Sequence, residues 1–306
     1  MRPLLSYYGG KQRLASWLLS LLPPHTVYVE PFAGGAALLF AKPRPFVSSH
    51  DQYREVLNDR DERIITVYRA VQEPSTRQAL YERLMTTPYS RAEHRRSREI
   101  QRHWADADVV SRAWAIIVDV QQSFSNSIGR GWRTSIYGSN QAATWHGWQG
   151  NLDAIFERLQ GVHLECDDAL AVMQRWDSPQ TCLYIEPPYV GADQCHYAGW
   201  TVEDQRRLIA CLESLNSSFV LSGYDHPEIR VPCHWQRYEH TAWVSASGKA
   251  QTRGHDRTRK ATTAELSDRH RIDVAWVVDR SYAVRPELRW IRMPQLALWE
   301  EKHDHA

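Results

Sequence analysis

Residues 27–36 have the sequence VYVEPFAGGA, which passes from a short apolar strand into a turn of small residues. The strand pattern covers 27–29, and apolar residues at helical spacing follow at 37–41. A second strand is predicted at 54–57, and Asn58 and Asp59 follow it. A strand, a glycine turn, a helix and a second strand that ends in an acid are typical of the start of an open α/β sheet that binds a nucleotide-like ligand.

The rest of the chain continues this pattern after an interruption. Residues 61–159 carry mainly helical patterns, but 123–150 are rich in Ser, Asn, Gly and Trp and indicate long functional loops. Strand patterns return at 162–165, 182–185, 219–222 and 272–278, and a helix is predicted at 205–215. The sequence therefore predicts an α/β sheet with a helical insertion.

Composition is typical of a globular protein. The chain has 306 residues, of which 42% are hydrophobic and 24% charged, which suits one large or two modest domains. Its five cysteines form no Cys-x-x-Cys pair, and its 14 histidines show no metal-ligand spacing, so we expect no metal. No apolar run is long enough to cross a membrane, and the N-terminus lacks a signal-peptide pattern. We expect a cytoplasmic protein without membrane contact.

The net charge of +1 conceals a local excess of arginine. Of 37 basic residues, 5 are lysine and 32 are arginine, and six arginines lie between 83 and 102 against two glutamates. Arginine suits bidentate contacts with phosphate and guanine. A GC-rich genome would also favour arginine over lysine, and a solvated helix face is the alternative interpretation of the cluster.

Two groups of residues carry candidate chemistry. The small residues at 33–36 let a ligand approach the backbone, and Asp59 can accept the ribose hydroxyls of an adenosine, or alternatively cap the next helix. In the second group, Glu186-Pro187-Pro188-Tyr189 follows an apolar strand. The prolines fix an extended turn that presents a carboxylate, a carbonyl and an aromatic ring; a rigid turn without chemistry is the alternative.

In their order, these motifs resemble those of Dam-like, alpha-group, phage-type N6-adenine-specific DNA methyltransferases, over about residues 4–278. Residues 7–11 resemble the family's aromatic-x-Gly-Gly-Lys element, and 30–35 its Pro-Phe-x-Gly-x-Gly loop. Residues 57–59 and 166–170 resemble two further cofactor elements, and 186–189 the Asp-Pro-Pro-Tyr catalytic motif. The resemblance assigns these residues to S-adenosylmethionine: Tyr7, Tyr8, Gly9, Lys11, Glu30, Pro31, Phe32, Ala33, Gly34, Gly35, Asp59 and Asp168.

The resemblance implies an α/β fold: a Rossmann-like S-adenosylmethionine-dependent methyltransferase sheet with an inserted helical target-recognition domain. The catalytic domain would comprise 1–66 and 160–306, and the insertion 67–159. The implied reaction moves a methyl group from S-adenosylmethionine to the N6 amine of an adenine flipped out of double-stranded DNA. The residues implied in catalysis are Glu186, Pro187, Pro188 and Tyr189.

Three departures from the family pattern bear on this expectation. Ala36 stands where the last glycine of the loop is usual, Ser6 replaces a common lysine, and Glu186 replaces the catalytic aspartate. A displacement of about 1 Å at a reacting group can cost on the order of a hundredfold in rate. The alternative is therefore a catalytically weakened or inactive Dam-like protein that binds DNA and S-adenosylmethionine, and a third alternative is an RNA adenine methyltransferase.

The resemblance assigns DNA contacts to the insertion and to a later basic stretch. Polar surface loops are the alternative for the sequence-reading positions. We expect double-stranded DNA as the partner, a monomer or weak dimer, and a cognate restriction enzyme as a possible further partner. The residues implied in DNA binding are Arg91, Arg95, Arg96 and Arg98 for phosphates, Gln122, Ser123, Asn126, Arg130 and Arg133 for sequence reading, and Arg253 and Arg257 as a second clamp.

Overall fold

Seven strands form one sheet in a computed structural model that describes residues 3–5, 11–43, 53–136, 138–190, 199–243 and 270–281. The order across the sheet is β3-β2-β1-β4-β5-β7-β6. Strands β1 to β5 are parallel, whereas β7 runs antiparallel to both β5 and β6. The strands are β1 (Val27–Glu30), β2 (Arg54–Asn58), β3 (His163–Glu165), β4 (Thr181–Ile185), β5 (Ser218–Gly223), β6 (Gln236–Trp243) and β7 (His270–Val278).

The helices lie between these strands and in the insertion. They are α1 (Ala15–Ser20), α2 (Ala37–Ala41), α3 (Glu62–Gln72), α4 (Pro74–Thr86), α5 (Arg91–Arg102), α6 (Val109–Gln122), α7 (Gln141–Gln149), α8 (Leu152–Arg158), α9 (Ala169–Arg175) and α10 (Val202–Ser214). Short 3₁₀ turns occur at Lys11–Leu14, Trp104–Asp106 and Phe124–Asn126. The predicted α/β class with a helical insertion is confirmed.

Alternation of side chains along the central strands gives the sheet two apolar faces. Tyr28 and Tyr184 face the core formed with α1, α2, α3 and the insertion. Val29, Leu183 and Ile185 face the other core, which α9 and α10 cover. Because both faces are buried, these parallel strands show nearly continuous apolar sequence.

Helix α6 is the centre of the insertion. Its residues from Ala113 to Gln122 are buried, and its apolar side chains belong to the same continuous core as those of α3. The predicted start of the insertion at residue 67 falls inside α3. At the other end, Arg158 of α8 donates to both oxygens of Glu55 in β2, at 2.6 and 2.9 Å. The insertion is therefore joined to the sheet by apolar packing and by a buried ion pair.

Two elements differ from the sequence prediction. The expectation of long loops over 123–150 is wrong for Gln141–Gln149, which form α7. Asn140 caps this helix, and Trp145 and Trp148 stack inside the core with ring centroids 5.0 Å apart. The helical signal is weak because Gly147 and several small or polar residues separate the two tryptophans from the rest of the pattern. Strand β6 was not predicted, since its sequence QRYEHTAW is largely polar.

The sheet order places a switch point between β1 and β4. The chain leaves β1 towards β2 on one side, and leaves β4 towards β5 on the other side. In open α/β sheets, ligands bind in the crevice at the carboxyl ends of the strands where the order reverses. The glycine turn follows β1 and the Glu186 motif follows β4, so both candidate motifs lie at this point.

Candidate active site and nucleic-acid interface

The turn after β1 has an unusual backbone. Gly34 and Ala36 both adopt left-handed conformations, with φ of 47° and 50°. A Cβ built on Gly34 would meet no atom within 4 Å, so open space lies above this backbone. For Ala36 the left-handed conformation costs about 1–2 kcal/mol, which explains why a glycine is usual in such a turn. The turn therefore offers a cradle with room for a ligand at Gly34.

Asp59 stabilises this turn through hydrogen bonds to backbone amides. Its carboxylate accepts hydrogen bonds from the backbone amides of Gly34 and Asp61, both at 2.8 Å. Burial raises the pKa of Asp59 to about 6, against the lowering effect of these two amides. The alternative that Asp59 caps the next helix is wrong, because Asp61 is the residue that caps α3, accepting from the amide of Arg63.

Asn58 connects the glycine turn with the loop after β3. Its fully buried side chain donates to the carbonyls of Pro31 and Asp167, at 2.9 and 3.1 Å, and accepts from the amide of Asp167 at 2.9 Å. Asp168 is exposed and caps α9 by accepting from the amides of Leu170 and Ala171. Asn58 was not among the predicted site residues, although its place beside Asp59 at a strand end was a usable signal.

The carboxylate of Glu30 is buried and hydrogen-bonded to other groups of the protein. Its carboxylate is 2% exposed and accepts from the Tyr28 hydroxyl and the Leu39 amide, each at 2.8 Å. Burial raises the pKa of Glu30 to about 8. Through the hydrogen bond from the Leu39 amide, Glu30 connects the end of β1 with α2. The side chains of Pro31, Ala33 and the backbone of Gly35 are buried, and Phe32 packs edge-on against Trp200 at 5.6 Å.

The Glu186 motif lies beside this turn. The half-buried carboxylate of Glu186 accepts hydrogen bonds from the hydroxyls of Tyr184, at 3.2 Å, and Tyr189, at 3.3 Å. Because β1 and β4 are adjacent parallel strands, Glu30 and Glu186 lie at the same edge of the sheet, and the charge of Glu186 contributes to the raised pKa of Glu30. Pro187 is buried and Pro188 half-buried, as expected for a fixed turn.

Tyr224 and Asp273 lie next to Tyr189; the sequence placed them in elements that resemble the family's, but not among the predicted site residues. The ring of Tyr224 meets the Tyr189 ring edge-on, with centroids 4.7 Å apart. The Tyr224 hydroxyl donates to Asp273 of β7 at 3.0 Å. Since β7 pairs with β5 far along the chain, only the sheet topology places Asp273 near the motif.

Helix α5 presents a face of arginines. Ser90 caps its start by accepting from the Ala92 amide, and Arg102 lies in its last turn, where a cation is favourable. Its inner face buries His94 and Ser97. The arginines at 91, 95, 98 and 102 follow at intervals of four, three and four residues, so they share one face.

This face lines a cleft of about 810 Å³ opposite the loop after α6. The cleft carries six arginines and a single glutamate, Glu99, which pairs with Arg102 and His103. The guanidinium of Arg91 lies 4.7 Å from the centre of the Trp132 ring. A concave, strongly positive surface of this kind suits a polyanion. The lining residues are Arg91, His94, Arg95, Arg96, Arg98, Glu99, Arg102, Gly129, Arg130, Gly131 and Trp132.

Asp119 fixes both walls of the cleft. Its fully buried carboxylate accepts from Gln101 of α5 at 3.0 Å and from the Gly129 amide of the opposite loop at 2.9 Å. It also lies 3.1 Å from Nε2 of His94 and 3.8 Å from the Arg98 guanidinium. The sequence prediction missed Asp119, which a polar residue in an otherwise apolar helix pattern could have indicated.

The predicted sequence-reading residues separate into two groups. Gln122 and Ser123 are fully buried; Gln122 bonds to the backbone of Pro88 and Ser90, and Ser123 to the carbonyl of Ser127. Arg130 is exposed at the cleft. Asn126 and Arg133 are partly buried and bond to each other at 2.8 Å. In this conformation Gln122 and Ser123 thus shape the loop, and Arg130 is the member of this set that lines the cleft.

Several predicted residues lie outside the described part of the chain: Tyr7, Tyr8, Gly9, Arg253 and Arg257. The backbone of Lys11 belongs to the first 3₁₀ turn, but its side chain is likewise outside it. Among the described residues, no group of three His, Cys, Asp or Glu could hold a metal ion. Within the same ranges, no helix is long and apolar enough to cross a membrane.

The sheet order, with two acid-bearing strand ends at its switch point, is that of a Rossmann-like α/β protein with a ligand crevice at this edge. The chain matches the family model of D12 class N6 adenine-specific DNA methyltransferases over residues 7–233. It belongs to this family, whose members methylate adenine in DNA and whose chemistry implies S-adenosylmethionine as the methyl donor.

Two further comparisons add little to this assignment. A search of curated proteins found no match. Among solved structures, the rRNA methyltransferase aviRa from Streptomyces viridochromogenes is similar at 12% identity, over 92% of this chain and 92% of its own, with a TM-score of 0.33. A likeness of this size carries no argument about the reaction or its substrate.

Proposed function

We propose that the protein transfers a methyl group from S-adenosylmethionine to the N6 amine of an adenine that is flipped out of double-stranded DNA. The observation that carries this proposal is the position of Glu186. Its carboxylate, with Tyr189 beside it, lies at the switch point of the sheet next to the open cradle at Gly34.

The residues at the end of β1 and β2 fit the cofactor. Gly34 leaves space above its backbone, and Asp59 supplies a buried carboxylate for which ribose hydroxyls are suitable donors. Phe32 offers a half-buried aromatic ring at the same turn, and Asp168 a carboxylate on the adjoining loop. When bound, S-adenosylmethionine supplies an electrophilic methyl group.

The residues of 186–189 fit the amine that is to be methylated. Glu186 would accept one hydrogen bond from the exocyclic amine of adenine, and the Pro187 carbonyl would accept another. Tyr189 would stack on the base. Both bonds favour an amine whose nitrogen lone pair is available, so the protein contributes position and electrostatics without a covalent intermediate.

We assign the contacts with DNA to the insertion, 67–159, and in particular to its arginine cleft. Arginines on one helix face would contact phosphates and set the position of the duplex, which is a sequence-independent role. Arg130, on the opposite wall, is exposed and is the predicted reading residue that lines the cleft. The buried Gln122 and Ser123 would act by holding the loop that carries it.

One experiment tests this proposal against both alternatives. The purified full chain is incubated with tritiated S-adenosylmethionine and either duplex DNA of mixed sequence or RNA, and the product is digested to nucleosides. We expect labelled N6-methyldeoxyadenosine from the DNA, and none from the Glu186→Gln variant. Cofactor binding by calorimetry without any labelled nucleoside would instead support the inactive binding protein, and label in RNA alone would support an RNA enzyme.

A further inference from the structure

A tyrosine lies two residues before the acid on each of the two central strands. The sequence Tyr-x-Glu-Pro occurs at 28–31 and again at 184–187, at the carboxyl ends of β1 and β4. Because residues two apart share one face of a strand, each phenol lies beside its own carboxylate. The Tyr28 hydroxyl donates to Glu30 at 2.8 Å, and the Tyr184 hydroxyl donates to Glu186 at 3.2 Å.

The two pairs differ in what else the carboxylate meets. Glu30 is 2% exposed and also accepts from the Leu39 amide, so its pair is part of the packing of α2. Glu186 is only half-buried, although its partner Tyr184 is 3% exposed. The Tyr184 pair therefore connects the rigid sheet interior to an accessible carboxylate.

We propose that Tyr184 is a positioning residue for methyl transfer, whose hydroxyl holds the Glu186 carboxylate in the orientation that the adenine amine meets. This inference rests on the proposed function. Glutamate has one more rotatable bond than aspartate, so its carboxylate needs an external contact to keep one position. Tyr189 also donates to Glu186, but stacking on a base would occupy its ring, whereas Tyr184 is fixed within β4.

The surroundings of Tyr184 suit a permanent donor. Burial holds the pKa of Tyr184 well above its usual value, so the phenol keeps its proton at every working pH. The Ser222 hydroxyl of β5 lies 3.4 Å from the phenol oxygen and also donates to the Ile185 carbonyl at 3.5 Å, while the phenol donates to Glu186 at the shorter distance of 3.2 Å. Around this pair, Glu30 faces from β1 and Tyr189 from the motif, with Tyr224 and Asp273 behind Tyr189.

The test is Tyr184→Phe, which removes the hydroxyl and keeps the ring. We expect kcat to fall about tenfold, with less than a twofold change in KM for DNA or S-adenosylmethionine, because a charge-assisted hydrogen bond is lost at the reacting group alone. The acid limb of the kcat profile should move to higher pH, since a donor to the ionised carboxylate is missing. Ser222→Ala should change both readouts in the same direction but less.

Tyr28→Phe is the matched control, because it removes the equivalent hydrogen bond at Glu30. It should lower thermal stability and leave the acid limb of the kcat profile in place. Unchanged kcat and an unmoved acid limb in Tyr184→Phe would overturn the inference while leaving the proposed function intact. Equal shifts of the limb in Tyr184→Phe and Tyr28→Phe would also overturn it. A wild-type protein that transfers no methyl would overturn both.

Discussion

Replacing Asp119 by Asn tests whether one buried carboxylate joins the two walls of the arginine cleft. Asn has the same shape, but it has no charge, and an amide nitrogen replaces one of the two carboxylate oxygens. Gln101 and the Gly129 amide, from the two walls, both donate to the same oxygen, Oδ2, at 3.0 and 2.9 Å. Both walls of the cleft therefore depend on this one oxygen.

The size of the effect follows from these contacts. A hydrogen bond to a charged group contributes about 1.5–3 kcal/mol and a neutral one about 0.5–1.5 kcal/mol, so the two bonds to Oδ2 should each weaken by about 1 kcal/mol when the charge is removed. We expect the free energy of unfolding to fall by about 2–3 kcal/mol for Asp119→Asn. At about 2–4 °C per kcal/mol for a chain of this size class, Tm should fall by roughly 5–10 °C.

The assay combines urea unfolding, followed by tryptophan fluorescence, with anisotropy of a labelled duplex. DNA affinity should fall about tenfold at a temperature where the variant is still folded, because α5 and the Gly129 loop lose their common anchor. The control is Asp153→Asn, at an exposed position of α8, which should change stability by about 0.5 kcal/mol or less. Equal stability of the two variants, or full DNA affinity in Asp119→Asn, would show that this carboxylate does not anchor the cleft.

Three further predictions concern the cofactor turn and the charged face. Gly34→Ala should cost about 1–2 kcal/mol of strain and weaken S-adenosylmethionine binding in calorimetry, because its Cβ enters the open cradle, whereas Ala36→Gly should leave binding unchanged. Cofactor affinity should decline as pH falls through about 6, where Asp59 takes up a proton, and Asp59→Asn should show weak binding without that pH dependence; an unchanged profile in the variant would contradict this role. Stability changes with pH in the opposite direction: ionised Asp59 costs folding free energy above about pH 6, and this cost declines as pH falls from about 6 towards the ordinary pKa of 3.8. Arg95→Ala should reduce the slope of log affinity for DNA against log salt by about 1, and exposed Arg207→Ala on α10 should not; equal slopes would argue against the cleft as the DNA surface.

Much of the fold follows from local sequence. All six strands expected from apolar runs are present. The signal is clearest for β4 and β5, because a parallel strand buried on both faces shows as nearly continuous apolar sequence. Strand β6 was missed, because a largely polar edge strand such as QRYEHTAW is specified by its pairing with β7 and not by its own pattern. Helix α7 was missed for a similar reason, since its stability comes from two tryptophans buried in a core that other segments supply.

The candidate site divides in the same way. The glycine turn, Asp59, the 186–189 motif and the arginine helix can be recognised in the sequence, because each is a short local pattern. The three-dimensional fold was needed to show that Asn58 joins two loops, that Asp119 contacts both walls of the cleft, and that the buried Tyr184 donates to Glu186. A hydrogen bond across strands or helices depends on sheet order and burial, and neither is visible in the residues that make it.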